Sequence, residues 1–279
     1  MRKLAIGAIA SGTLALSALA VPSASAATPD FTFSKVVVNG GKAIVVGTTN
    51  TVKVPVTYTL TRPADVVIDN ETKAAGVLLY RGSLSKPQNE VGNGEAPTCA
   101  TTATSATMVT ESCKETIELD PFFLFEAADA TTWHAAGYYG RLDSDDDDSD
   151  GHVSLNYADD MWGPLASAQI KRAAKLTVNA GPEPVAKGKT LTVTGSLTRA
   201  SWYSYKDANY TGYKGQPVAL QFKAKGATAY KTVKTVTSGT AGALRTTVKA
   251  SADGTYRYSF AGTTTTGTAA ATGDYVDVK

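Results

Sequence analysis

From Leu191 to Phe260 the chain returns repeatedly to one pattern, apolar and polar residues in alternation: Leu191-x-Val193-x-Gly195-x-Leu197, Val218-x-Leu220-x-Phe222 and Tyr256-x-Tyr258-x-Phe260. Successive side chains of a strand point to opposite faces, so a period of two buries one face and wets the other. Shorter runs of the same kind lie at Leu176-x-Val178, Val233 to Val236, Leu244 to Val248 and Val276-x-Val278. Turns rich in Gly, Pro, Asn and Asp separate them, and the set predicts an antiparallel β-sandwich. No run with a period of 3.6 competes, and the abundant Thr suits half-buried strands.

The first half is less regular. Val52-x-Val54-x-Val56-x-Tyr58-x-Leu60 is a clear alternating strand. Further strands are predicted at Phe31 to Val38, Lys42 to Val46, Ala64 to Ile68, Val77 to Tyr80, Thr116 to Leu119, Val153 to Tyr157 and Leu165 to Ile170. They make a second sandwich. The segment from Ser83 to Glu111, rich in Gly, Pro, Thr and Asn, reads as a long insert within it.

At the N-terminus Arg2 and Lys3 precede an apolar run from Leu4 to Ala20, and Ala24-Ser25-Ala26 fits a small-residue cleavage site. The run is short for a membrane span and is broken by Gly7, Ser11, Gly12 and Ser17, so cleavage before Ala27 and export are expected. No cysteine adjoins the cleavage site, which argues against a lipid anchor, and no later segment predicts a membrane span. The resulting division is a signal peptide at 1–26, a first domain at 27–172 and a second at 173–279. About 250 mature residues are enough for a core in each.

The two domains carry opposite charge. Residues 171–279 hold sixteen Lys or Arg against five acids, while residues 27–170 hold nine against twenty. The formal net charge of +2 conceals this, and such asymmetry points to a partner or to mutual docking of the halves.

The segment KLTVNAGPEPVAKGKTLTVTGSL, then GQPVALQF, DGTYRYSFAGT and the closing YVDV resemble the bacterial Ig-like modules of secreted actinobacterial proteins. The resemblance covers about Ala173 to Lys279, and the whole chain is similar to two-domain secreted proteins of streptomycetes. It implies an all-β fold of two Ig-like antiparallel β-sandwich domains, with Tyr256 or Tyr258 tying a corner through its hydroxyl. It implies location and architecture and brings no catalytic residues with it.

Cys99 and Cys113 are the two cysteines of the chain, and in an oxidising exterior a disulfide follows. A catalytic or metal-binding pair is the lesser alternative, since no His or third Cys lies near.

Six aspartates fall between Asp143 and Asp150. Their mutual repulsion calls for cations or basic groups nearby. Asp146, Asp148 and Asp150 followed by Gly151, Val153 and Ser154 match the first nine positions of a calcium loop, with oxygens at 1, 3 and 5 and glycine at 6. The twelfth position is Tyr157 where an EF-hand needs a carboxylate, so Asp159 or Asp160 would have to complete the shell around Ca2+. Docking on the basic second domain and a merely solvated loop are the alternatives. His152 lies inside this segment, where carboxylates favour its charged form and make it a poor ligand, and His134 reads as a packed or surface residue.

Trp202, Tyr203, Tyr205, Tyr210 and Tyr213, with Lys206 and Lys214 beside them, form an aromatic stretch that serves either as a binding surface for a glycan, protein or anionic cell-wall polymer, or as the loop's own packing. Nucleic acid is not expected, because the lysines are spread along strands and not gathered into a run. No GxSxG or HExxH signature is present, and abundance of acids does not by itself make a glycosidase pair. The main reading is a secreted, non-enzymatic Ig-like protein that binds calcium and contacts the cell wall or another macromolecule. The rival is a secreted hydrolase with an unrecognised carboxylate-based site.

Overall fold

The computed structural model describes residues 30–92, 95–143, 154–156, 160–202 and 209–279. The first sandwich contains β1 (Thr32–Val38), β2 (Ile44–Val46), β3 (Val52–Pro63), β4 (Lys73–Ser83) and β5 (Lys86–Val91). It continues with β6 (Thr98–Thr104), β7 (Met108–Leu119), β8 (Thr132–Asp143), β9 (Ser154–Asn156) and β10 (Met161–Arg172). One sheet has the order β1-β3-β7-β6, and the other β2-β10-β8-β4-β5 with β9 beside β8. The pairing of β2 with β10 is parallel and its other neighbours are antiparallel. Lettered along the chain, this is an ABED sheet against an A′GFCC′ sheet, the strand order of an immunoglobulin-type sandwich.

The second sandwich contains β11 (Ala174–Leu176), β12 (Asn179–Gly181), β13 (Thr190–Ser201), β14 (Asn209–Gly212) and β15 (Pro217–Ala224). It is completed by β16 (Lys231–Thr237), β17 (Ala243–Lys249), β18 (Gly254–Phe260), β19 (Ala269–Ala270) and β20 (Asp274–Val276). β13 pairs β11, β12, β14 and β17 in one sheet, and the other runs β16-β15-β18 with β19 and β20 on the far side of β18. Val185 bridges Val278 in parallel, which again places a first-strand segment beside the last. Two Ig-like sandwiches result.

Alternation explains both cores. Val54, Val56, Tyr58 and Leu60 of β3, with Ile117 and Leu119 of neighbouring β7, face Val77 and Leu79 of β4 across the first sandwich. Leu191, Val193 and Leu197 of β13 face Val218, Leu220, Tyr256, Tyr258 and Phe260 across the second. The Tyr258 hydroxyl donates to the Val193 carbonyl at 3.0 Å, so of the two candidate tyrosines it is Tyr258 that ties, and it ties sheet to sheet. Burial pushes this phenol up to about 12.

Three sequence expectations are corrected. The stretch from Ala64 to Ile68 is not a strand but part of the β3–β4 connection. That connection is pinned by Asp69, whose carboxylate accepts the backbone N–H groups of Glu71, Thr72 and Lys73 and is thereby held well below the usual carboxylate range. The supposed insert from Ser83 to Glu111 supplies β5, β6 and the start of β7. β6 carries no sequence signal because all seven of its residues are exposed at a sheet edge, which leaves no apolar face to alternate. β8 carries none for the opposite reason: central in its sheet, it is buried on both faces, and its Ala, Gly and aromatic residues show no period.

Candidate functional site

Cys99 of β6 and Cys113 of β7 are register partners and form a disulfide with S–S 2.04 Å. It fastens the edge strand to its neighbour within one sheet. A cavity of about 240 Å³ lies beside it, lined by Leu60, Arg62, Ile68, Asn70, Ala75 and Glu111, among others. Its one carboxylate is engaged: Arg62 donates through Nε and Nη2 to the two oxygens of Glu111 at 3.0 and 3.2 Å. The cavity therefore does not present the pair of opposed carboxylates that a glycosidase needs.

Asp146, Asp148, Asp150, His152 and Asp159 lie outside the described residues. Ser154 opens β9, whose backbone pairs with β8 in the register Asp143↔Ser154. The Asp160 carbonyl accepts Tyr139 N–H at 3.1 Å, and its Oδ1 is buried without a hydrogen-bond partner among the described residues. Among the described residues no group of three or more His, Cys, Asp or Glu is placed to hold a metal ion. His134 sits 3.3 Å from Ser167 Oγ through Nδ1 and tilts against Tyr80.

The aromatic stretch divides. Tyr203 and Tyr205 lie outside the described residues. Trp202 is 4% exposed and packs with the core of the first sandwich, so it contributes packing and no open surface. Its indole N–H donates to Gly47 O at 2.8 Å, and the Arg172 guanidinium lies 5.2 Å over the ring. Tyr210 and Tyr213 are half-buried, each under a cation: Lys175 Nζ at 3.7 Å and Arg199 Cζ at 4.0 Å. Tyr213 packs on the second core, while Trp202 and Tyr210, both packed against the first core, form the joint between the sandwiches, where β10 passes to β11 across the single residue Ala173. Backbone bonds from Ala173 N–H to Val46 O, from Arg172 N–H to Thr265 O and from Gly267 N–H to Arg172 O complete it. Burial lowers the Arg172 pKa, with Arg199 adding to the effect.

The outer face of the β16-β15-β18 sheet was not singled out in the sequence. Lys223 and Arg257, on neighbouring strands, both sit against Tyr230, with Arg257 Cζ 3.8 Å and Lys223 Nζ 5.0 Å from the ring centroid. Arg257 Nε donates to Gln221 Oε1 at 2.9 Å, which fixes the guanidinium. The alternation of β15 and β18 contained the signal, since residues out of phase with the core must line the other face. A cation held against a ring beside exposed Tyr275 is a surface suited to anionic groups on rings or chains.

No protein-family model matches the chain, and no curated protein matches it. Among solved structures it is similar to the full ectodomain (Ig1–Ig3) of mouse nectin-like molecule 4, at 12% identity over 90% of this chain, with a TM-score of 0.22. The match spans 64% of that ectodomain's length, and at that TM-score the Ig-like assignment rests on strand order alone.

Proposed function

We propose that the protein is an exported, non-enzymatic binding protein of two Ig-like modules, and that its second sandwich contacts an anionic polymer of the cell envelope. The observation that carries this reading is the Lys223–Tyr230–Arg257 arrangement on the outer sheet face. The excess of sixteen basic over five acidic residues in 171–279 supports it, because a summed field of one sign concentrates a polyanion near that face. Among the described residues no helix is long and apolar enough to cross a membrane. The test is co-sedimentation with poly(glycerol phosphate), with neutral dextran as control. Replacing Lys223 and Arg257 together by Gln should weaken binding roughly tenfold, at up to about 1 kcal/mol for each exposed contact. Unchanged binding would mean that this face is not the site.

Calcium binding by Asp146, Asp148 and Asp150, with Ser154 and with Asp159 or Asp160, belongs to the same proposal. Its support is the spacing of oxygens and glycine along the chain.

A further inference from the structure

The joint between the sandwiches holds a positive charge with no counter-charge beside it. Arg172, the last residue of β10, is 8% exposed, and its guanidinium lies over the Trp202 ring. Its Nε is buried without a hydrogen-bond partner, and among the described residues no carboxylate pairs with it. A buried charge is costly unless it is paired and hydrogen-bonded. Asp129 acts on Arg172 electrostatically, but its carboxylate is already taken by Arg81 Nε at 2.8 Å and Asn89 Nδ2 at 3.2 Å. Arg199, held over Tyr213, adds a second positive charge, and it too makes no ion pair among the described residues.

A second unmatched group lies opposite. Thr266 is the parallel bridge partner of Arg172, which donates its N–H to Thr265 O at 3.0 Å and accepts Gly267 N–H at 2.8 Å. Bridge partners project their side chains to the same face. Thr266 is fully buried, and its Oγ1 also has no hydrogen-bond partner. The loop that presents it is fixed: Thr263 N–H donates to Thr266 O at 2.9 Å, and Lys171 Nζ donates to Thr263 O at 2.8 Å. An Nε–H that can only donate and a hydroxyl free to donate call for an acceptor. A buried water would accept both bonds yet leave the positive charge uncompensated, whereas an anion answers both needs.

We propose that the joint binds one small inorganic anion of the size of chloride between Arg172 Nε and Thr266 Oγ1, and that the anion helps to hold the sandwiches together. Burial of both groups keeps a polymer out, so the site is separate from the Lys223–Tyr230–Arg257 face. The probe is chloride, exchanged for gluconate at constant ionic strength in the chain from Ala27, so that general screening stays fixed. Melting temperature should rise with chloride, by roughly 5–10 °C at about 100 times its dissociation constant. Chlorine NMR lines should broaden on binding. Thr266→Val should weaken chloride roughly tenfold, and Arg172→Met should abolish the response. Should Arg172→Met fail to fold, Thr266→Val decides alone, and an unshifted response in it overturns the site. Lys223→Gln/Arg257→Gln should keep the full chloride response, which separates this site from the basic face. A wild type that melts alike in chloride and in gluconate overturns the proposal and leaves Arg172 to a water or to Asp207, a residue outside those described.

Discussion

Trp202 in the second sandwich and Gly47 in the first are joined by one hydrogen bond, indole N–H to carbonyl, at 2.8 Å. This bond crosses the joint together with the burial of the whole indole, and it turns two modules into one unit. Replacing Trp202 by Ala should cost about 3–5 kcal/mol, the usual range for a buried aromatic truncated in a core. A Phe at the same position keeps most of the packing and should lose roughly 1 kcal/mol for the missing bond, more if Gly47 O stays dry. Small-angle scattering reads the consequence: a larger radius of gyration for W202A than for W202F. Equal radii would mean that the joint is held by its backbone bonds alone.

Asp129 carries the second prediction. It is fully buried, accepts from Arg81 Nε and Asn89 Nδ2, and gives its backbone carbonyl to the Trp133 indole at 2.8 Å. Removing one partner of a buried pair strands the other charge, so Asp129→Ala should destabilise by about 3–5 kcal/mol. Urea melts give that number. Hydrogen exchange then asks whether residues 120–126 open first, as they should if the pair holds the phenylalanine loop; protection lost evenly over the first sandwich would refute the link.

Much of this was legible in the chain and some was not, for physical reasons. β13, β15 and β18 have one wet face and announce themselves by alternation. β4 and β8 are covered on both faces and β6 on neither, so the same signal is absent from each. Packing of Trp202 was one of the two sequence readings, but its partner was not legible, because the carbonyl that accepts its indole N–H is Gly47, 155 residues earlier. Arg81 with Asp129 is a pairing of the same kind, 48 residues apart.

Tyr258 gives a dependence on pH. Its hydroxyl is buried and ionises near 12, against 10.0 for an ordinary phenol. Below 10 both folded and unfolded chains keep the proton, so this group adds no slope. Between 10 and 12 the unfolded chain releases its proton first, and stability falls as pH rises, by about 2–3 kcal/mol at most for a shift of this size. Tyr258→Phe should be less stable at neutral pH by roughly 1–2 kcal/mol, since the Val193 carbonyl loses its donor. Its further loss on moving to high pH should be smaller than the wild type's. Denaturant melts of both proteins at neutral and alkaline pH decide it; parallel curves would assign the alkaline slope to other tyrosines.

The aspartate-rich segment gives the last prediction. Asp146, Asp148 and Asp150 offer oxygens at alternate positions before Gly151, a residue that permits the sharp turn a calcium loop needs. With one ligand displaced from its usual place, affinity should fall at the weak, extracellular end of the range, roughly 10⁻⁴–10⁻³ M. Bound only by the folded chain, calcium at about 100 times its Kd would add about 2.7 kcal/mol of stability. Asp148→Asn/Asp150→Asn removes two ligands and two mutually repelling charges, so the variant should lose the calcium response while its stability in chelator stays equal or rises. Thermal melts of both proteins in chelator and in millimolar calcium are the test. A wild type whose Tm ignores calcium, with no heat of binding in calorimetry, would leave the aspartates as a solvated acidic surface.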